Sequence, residues 1–123
     1  MRTNERGQST VELALCLPLV VLLLAAIVEI GSVAIDHVRV WHAAREAVRV
    51  AAVDADETTI RRAAESAGVE PITVQVSPRA IYRRQGEQVT VRVSHPAAGA
   101  VPLLGRLFDI DLTAAATMRI EQP

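Results

Sequence analysis

The stretch RGQSTVELALCLPLVVLLLAAIVEIG, residues 6–31, decides how the chain is organised. It contains no charge from Leu13 to Val28, and its helix-compatible apolar pattern continues to Ile35. At 1.5 Å rise per residue, the helix from Leu13 to Ile35 is about 33 Å long, which matches a bilayer hydrocarbon core of roughly 30 Å. We therefore expect a transmembrane helix over residues 8–35.

The residues before this helix, 1–7 (MRTNERG), are short and polar and carry Arg2 and Arg6. They have the character of a cytoplasmic leader. Arginines follow the span as well, so counting positive charges on the two sides does not orient it.

Beyond the span, the helical pattern continues without a stop signal up to Asp54. Apolar residues recur every three or four positions on one face of this segment, and charged residues recur on the other. The apolar face consists of Val40, Ala44, Ala47, Val48 and Ala51. The pattern predicts an amphipathic stem with a face of small side chains, which another layer can approach closely.

A second, shorter helix is expected after the stem. Asp54 and Glu57 have the spacing of a capping box, with Asp in place of the usual Ser or Thr, and apolar residues then recur at helical intervals. Gly68 and Pro71 are typical of a helix end. This helix is therefore predicted to begin near Asp54 and to end before Gly68.

Three later segments alternate apolar and polar residues, as half-buried strands do. They cover residues 72–77, 89–94 and 110–121. One face of such a sheet must be buried, and the stem provides the matching apolar face. We predict an α+β chain in which residues 36–123 form the stem and a small domain with a three-stranded antiparallel sheet packed on the stem.

Composition argues against several functions. The chain has 13 basic and 14 acidic residues, so it lacks the basic face that nucleic-acid binding requires. Its single cysteine, Cys16, cannot form an intramolecular disulfide or a cysteine metal cluster. No phosphate-binding loop, nucleophile elbow or metalloprotease motif occurs. We expect no catalysis, cofactor, metal or small-molecule substrate.

The three histidines are the remaining candidates for proton transfer or metal binding. His37 and His42 are five residues apart, so they point to different faces of the stem and are not a chelating pair. We expect both to be surface residues. His95 precedes Pro96, a context typical of a turn at a strand end.

Two other export signals fit poorly. Ser32-Val33-Ala34 has the residue types of a signal-peptidase site, but the apolar run is too long for an ordinary signal peptide. Leu13-Ala14-Leu15-Cys16 is similar to a lipobox, but Leu15 is bulky where a small residue is expected. The apolar helix is therefore expected to stay with the protein as an anchor.

The junction Gly7-Gln8-Ser9-Thr10-Val11-Glu12 resembles the leader junction of type IV prepilins, where a peptidase cuts after the glycine. If Gln8 becomes the first residue, Glu12 takes the fifth mature position, which is a glutamate in those families. The longer stretch, with Pro18 and Glu29-x-Gly31, is similar to the TadE-like family of Flp (tight adherence) pilus proteins. One residue departs from the pattern, because Leu13 stands where an aromatic residue usually follows the glutamate.

This resemblance implies a minor pilin or pseudopilin that acts in pilus assembly and cell adhesion. It implies a cytoplasmic N-terminus, a single pass through the cytoplasmic membrane and an extracytoplasmic domain. The partners would be the prepilin peptidase, other pilins and the assembly machinery. Gly7 and Gln8 would form the cleavage site, and Glu12 and Glu29 would act in subunit assembly. A signal-anchored extracytoplasmic binding module and a secreted enzyme domain are the alternatives.

Glu29 lies about 24 Å along the helix from Leu13, near the outer boundary of a core of roughly 30 Å. At that depth snorkelling can relieve much of the cost of a membrane charge. An interfacial residue and a helix–helix contact are both compatible with this position.

We predict that the mature chain begins at Gln8, because Gly7 is the only small residue at the junction between the charged leader and the apolar helix. Intact-mass measurement or N-terminal sequencing of the membrane-extracted protein tests this. A chain that begins at Met1 or at Ile35 would contradict the prediction.

Overall fold

A computed structural model gives the fold, and it describes residues 5–97, 99–101 and 110–123. In chain order, the elements are helix α1 (Glu5–Ala51), helix α2 (Glu57–Glu65), strand β1 (Thr73–Ser77), a short 3₁₀ turn (Ala80–Tyr82), strand β2 (Gln88–Ala97) and strand β3 (Ile110–Arg119). The strands form one antiparallel sheet in the order β1-β2-β3. The predicted α+β architecture is confirmed. Residues 1–4 of the predicted leader lie outside the described residues.

Helix α1 runs without interruption from the apolar segment into the stem, and its two halves have opposite environments. In the first half, every large apolar side chain from Val11 to Ile30 is exposed, with Leu15 at 73%. In the second half, Val40 and Ala47 are fully buried. Pro18 lies inside the helix. The predicted continuation of the membrane segment into an amphipathic stem is confirmed.

The core lies between the stem and the inner face of the sheet. The stem contributes Val40, Ala43, Ala44, Ala47, Val48 and Ala51, the sheet contributes Val89, Val91, Val93, Leu112, Ala114 and the following Ile120, and α2 adds Ile60 and Ala64. Most of the stem residues are alanine, so the sheet can lie close to the helix backbone. The predicted packing of the small-residue face on the strands is confirmed.

The strand register agrees with the predicted alternation, with two exceptions in β3. Odd-numbered residues of β2 point inward and are buried, and each faces an even-numbered residue of β3, as Val91 faces Ala116. Ile110 and Met118 have the parity of the buried face but are 43% and 39% exposed. They lie near the two ends of β3, which, among the described residues, pairs on one side only, with β2.

Helix α2 begins later than the Asp54 capping box predicts. Its N-cap is Asp56, whose carboxylate accepts hydrogen bonds from the backbone N–H groups of Thr58 and Thr59. The Asp54 carboxylate instead accepts from the Asp56 N–H at 2.8 Å, so it shapes the turn between the two helices. Hydrogen bonds from the Thr58 hydroxyl, and next from the Thr59 hydroxyl, lower the pKa of Asp56 to about 2.

Arg83 ties the 3₁₀ turn to the end of α1. Its side chain is buried, its Nη1 donates to the Ala51 carbonyl at 3.1 Å and to the Asp54 carbonyl at 3.2 Å, and its Nε donates to the Pro78 carbonyl at 3.3 Å. A cation here satisfies carbonyls that the helix leaves unpaired and interacts favourably with the negative end of the helix dipole. Arg79 and Arg84 in the same loop are exposed, so a position in this basic stretch of sequence does not by itself indicate that Arg83 is buried.

Replacing Ala47 by Asp is expected to destabilise the domain by roughly 3 kcal/mol or more, because it buries an unpaired charge against the sheet. Thermal unfolding of the full chain in detergent, followed by circular dichroism, measures the effect. Ala115→Asp is the matched control, because Ala115 is exposed on the outer face of β3 opposite Arg92. Equal melting temperatures for the two variants would contradict this packing.

Replacing Arg83 by Ala is expected to lower the free energy of unfolding by about 1 to 3 kcal/mol, because three carbonyls lose a charged donor. Arg84→Ala is the control, since Arg84 is exposed one residue further along the chain. Chemical denaturation of both variants compares them. A loss no larger for Arg83→Ala than for Arg84→Ala would show that the buried guanidinium contributes little.

Candidate functional site

The predicted cleavage and assembly residues at the N-terminus lie on the first turns of α1. Gly7, Gln8 and Glu12 are all exposed and helical. The Gln8 side-chain amide donates to the Glu12 carboxylate at 3.4 Å, one helical turn apart. Side chains on a helix lean toward its N-terminus. The Glu12 carboxylate is therefore held beside the turn that would carry a new amino group after cleavage before Gln8.

The lipid-compatible part of α1 lies between two glutamates. Glu12 precedes the uncharged run and Glu29 follows it, 17 positions later, which is about 25 Å along the helix. Helix α1 is long and apolar enough to cross a membrane, and it fits a single-pass membrane anchor. The two carboxylates thus mark the two ends of the segment that lipid can surround.

Glu29 has a different environment from Glu12. Its side chain is only 4% exposed, and its Oε2 accepts a hydrogen bond from the backbone N–H of Val101 at 2.8 Å. Its Oε1 is buried and has no hydrogen-bond partner among the residues that the structure describes. Val101 belongs to the connection between β2 and β3, so Glu29 joins the helix to the folded domain rather than pointing into solvent. Its role in subunit assembly remains a prediction.

A second acidic residue of α1 contacts the same end of the domain. The Asp36 carboxylate lies 4.0 Å from Nε2 of His95 and 3.4 Å from Nη1 of Arg39. Nδ1 of His95 lies 2.8 Å from the Pro71 carbonyl, which can only accept, so Nδ1 carries a hydrogen. His95 is thus a buried residue of β2 that connects three parts of the domain, and its prediction as a turn residue is wrong.

The sequence contains one indication that these acidic residues contact the domain, namely their position on the helix face that is buried. Glu29 and Asp36 are seven residues apart, so they lie on one face of α1, together with Val33 and Val40, which pack in or against the core. Acidic residues in line with a buried face indicate contacts to the domain. The partner groups, the Val101 N–H and the His95 ring, are 72 and 59 positions away from them.

The remaining candidate side chains, His37, His42 and Cys16, are exposed. His37 and His42 are exposed, as predicted, and His37 Nε2 accepts a hydrogen bond from Trp41 Nε1 at 3.2 Å. Cys16 is exposed among the apolar residues. Within residues 5–97, 99–101 and 110–123, no three His, Cys, Asp or Glu side chains are grouped as metal ligands would be.

Replacing Glu29 by Ala is expected to free the Val101 amide, whereas Glu29→Gln keeps an oxygen that can accept from it. Hydrogen exchange at the Val101 amide, measured by NMR in micelles, should be faster in the Ala variant and close to the original in the Gln variant. The destabilisation by Ala should be about 1 kcal/mol, the usual net contribution of one hydrogen bond. Unchanged exchange at Val101 in Glu29→Ala would contradict this contact.

Comparison with known proteins adds one match. Residues 7–49 match the family model described as TadE-like protein. The matched segment contains the junction, both glutamates and most of the stem, whereas the sheet lies beyond it. The chain matches no curated protein and no solved structure. The resemblance seen at the junction is confirmed: residues 7–49 are similar to the TadE-like family, and this similarity suggests involvement in Tad/Flp pilus assembly and association with a membrane.

Proposed function

We propose that this chain is a minor pilin or pseudopilin that acts in assembly of a Flp-type type IV pilus at the cytoplasmic membrane. Its N-terminus would lie in the cytoplasm and its sheet domain outside, and it would act through protein contacts without catalysis. The observation that carries the proposal is the contrast within α1, most of which matches the TadE-like family model: the first half is apolar and exposed, while one face of the second half is buried in the domain.

This contrast suits a subunit that must exchange one neighbour for another. Apolar side chains on the first half of α1 can contact lipid tails or the helices of other subunits, because lipid tails are about as apolar as leucine. The domain packs on the second half of the helix, so moving the first half need not disturb the core. Such a helix can leave the bilayer for a helix bundle without unfolding the rest of the chain.

Glu12 would need a positively charged partner when the helix moves from lipid into a helix bundle. In a monomer, its exposed carboxylate can stay in the cytoplasmic headgroup layer. In a bundle of like helices, it would enter a region of low dielectric constant, where an unpaired charge is costly. The amino group created at Gln8 by the prepilin peptidase is a suitable cation, on the same or a neighbouring subunit. The contact from Gln8 to Glu12 in α1 brings these two residues together.

Replacing Glu12 by Ala or Gln is expected to impair pilus assembly while leaving membrane insertion and leader cleavage intact, because the uncharged run is unchanged. Piliation counts and crosslinking to partner pilins report assembly, and membrane fractionation reports insertion. Glu46→Ala is the control, since Glu46 is an exposed glutamate of the stem on the same helix. Normal piliation and normal crosslinking by Glu12→Ala would contradict the proposal.

A further inference from the structure

The end of the domain where β2 leads into β3 lies beside the last turns of the apolar helix segment. We propose that this end, with Ala100, Val101 and Ile110, lies in the outer headgroup layer of the membrane and is a second contact of the protein with lipid. This inference rests on the proposed membrane-spanning role of α1. It adds a lipid-binding surface on the folded domain itself.

The contacts between the domain and α1 define the depth of this end. The Val101 N–H is 2.8 Å from the Glu29 carboxylate, and the His95 ring is 4.0 Å from the Asp36 carboxylate. Ile110 pairs with Ala97, which comes two residues after His95 in β2 and four before Val101. Ile110 is therefore placed between the levels of Asp36 and Glu29 along the helix.

The length of the uncharged run places the outer boundary of the hydrocarbon core near the same level of the helix. Leu13 to Val28 is about 24 Å long at 1.5 Å per residue, shorter than a hydrocarbon core of roughly 30 Å. If the inner boundary lies at Leu13, the core extends for about 20 residues, to a level near residue 32. If the helix is shifted outward so that the boundary lies at Gln8, the headgroup layer still covers the turn after Val28.

The side chains at this end fit an interfacial layer. Ile27, Ile30 and Ile110 are 58%, 70% and 43% exposed. Glu29, which lies between Ile27 and Ile30 in the sequence, is only 4% exposed, and its carboxylate accepts the Val101 N–H. The Val101 backbone thus has a partner within the protein, as a chain segment near lipid requires. A phospholipid layer continuous with that around α1 is the occupant that matches these residues.

Single cysteines labelled with a polarity-sensitive fluorophore test the proposal in the full chain. The background is Cys16→Ser, and the labelled variants are Ile110→Cys and Ala100→Cys. Leu22→Cys in the middle of the span is the positive control, and Gln88→Cys at the opposite end of β2 is the negative control. Each protein is placed in phosphatidylcholine vesicles without brominated lipid or with a mixture of lipids brominated near the glycerol end and near the methyl end of their acyl chains, so that labels at both depths can be quenched.

Labels at positions 110 and 100 are expected to have blue-shifted emission and to lose intensity with brominated lipid, as the label at position 22 does, while the label at position 88 is unaffected. Quenching at position 22 without quenching at positions 110 and 100 would overturn this inference and leave the membrane helix in place. A blue shift at position 110 that brominated lipid does not quench would assign this end to a protein neighbour instead. No quenching at position 22 would overturn the membrane-spanning helix as well.

Discussion

The close contact between the alanine face of the α1 stem and the inner face of the sheet holds the domain together. Ala43, Ala44, Ala47 and Ala51 are fully buried there. Since alanine adds one methyl group beyond the backbone, the sheet can approach the helix closely and bury a large part of its apolar face. A three-stranded sheet of this size needs such a partner to be stable in water. The folded domain and the membrane segment therefore share one helix.

Local sequence patterns predicted the helices and strands of this fold but not the contacts between residues distant in the sequence. The helical period of the stem and the two-residue period of the strands are properties of neighbouring residues, and each appears in the structure. The start of α2 was misjudged because Asp54 and Asp56 are both acceptable caps, and the turn decides between them. The burial of Arg83 and of His95 depends on groups distant in the sequence. Their roles could not be predicted from spacing.

The candidate site was predictable to a different extent at its two ends. Glu12 stands in a recognisable junction, and the structure places it exposed beside Gln8, while its role in assembly stays a prediction. Glu29 was placed by its depth in the apolar run, which says nothing about the Val101 amide that holds it. That depth is compatible with an interfacial residue or with a helix–helix contact, and the structure shows a bond to a backbone amide of the domain. Which group forms this contact is a matter of tertiary structure.

The end of the chain returns to the end of the helix. The N–H groups of Glu121 and Gln122 both donate to the Ala52 carbonyl, at 2.8 and 3.1 Å, just beyond the last residue of α1. The Arg83 guanidinium binds carbonyls in the same region. A mechanical load applied to the chain at residue 122 would thus pass directly into the long helix, before it could peel β3 away from β2.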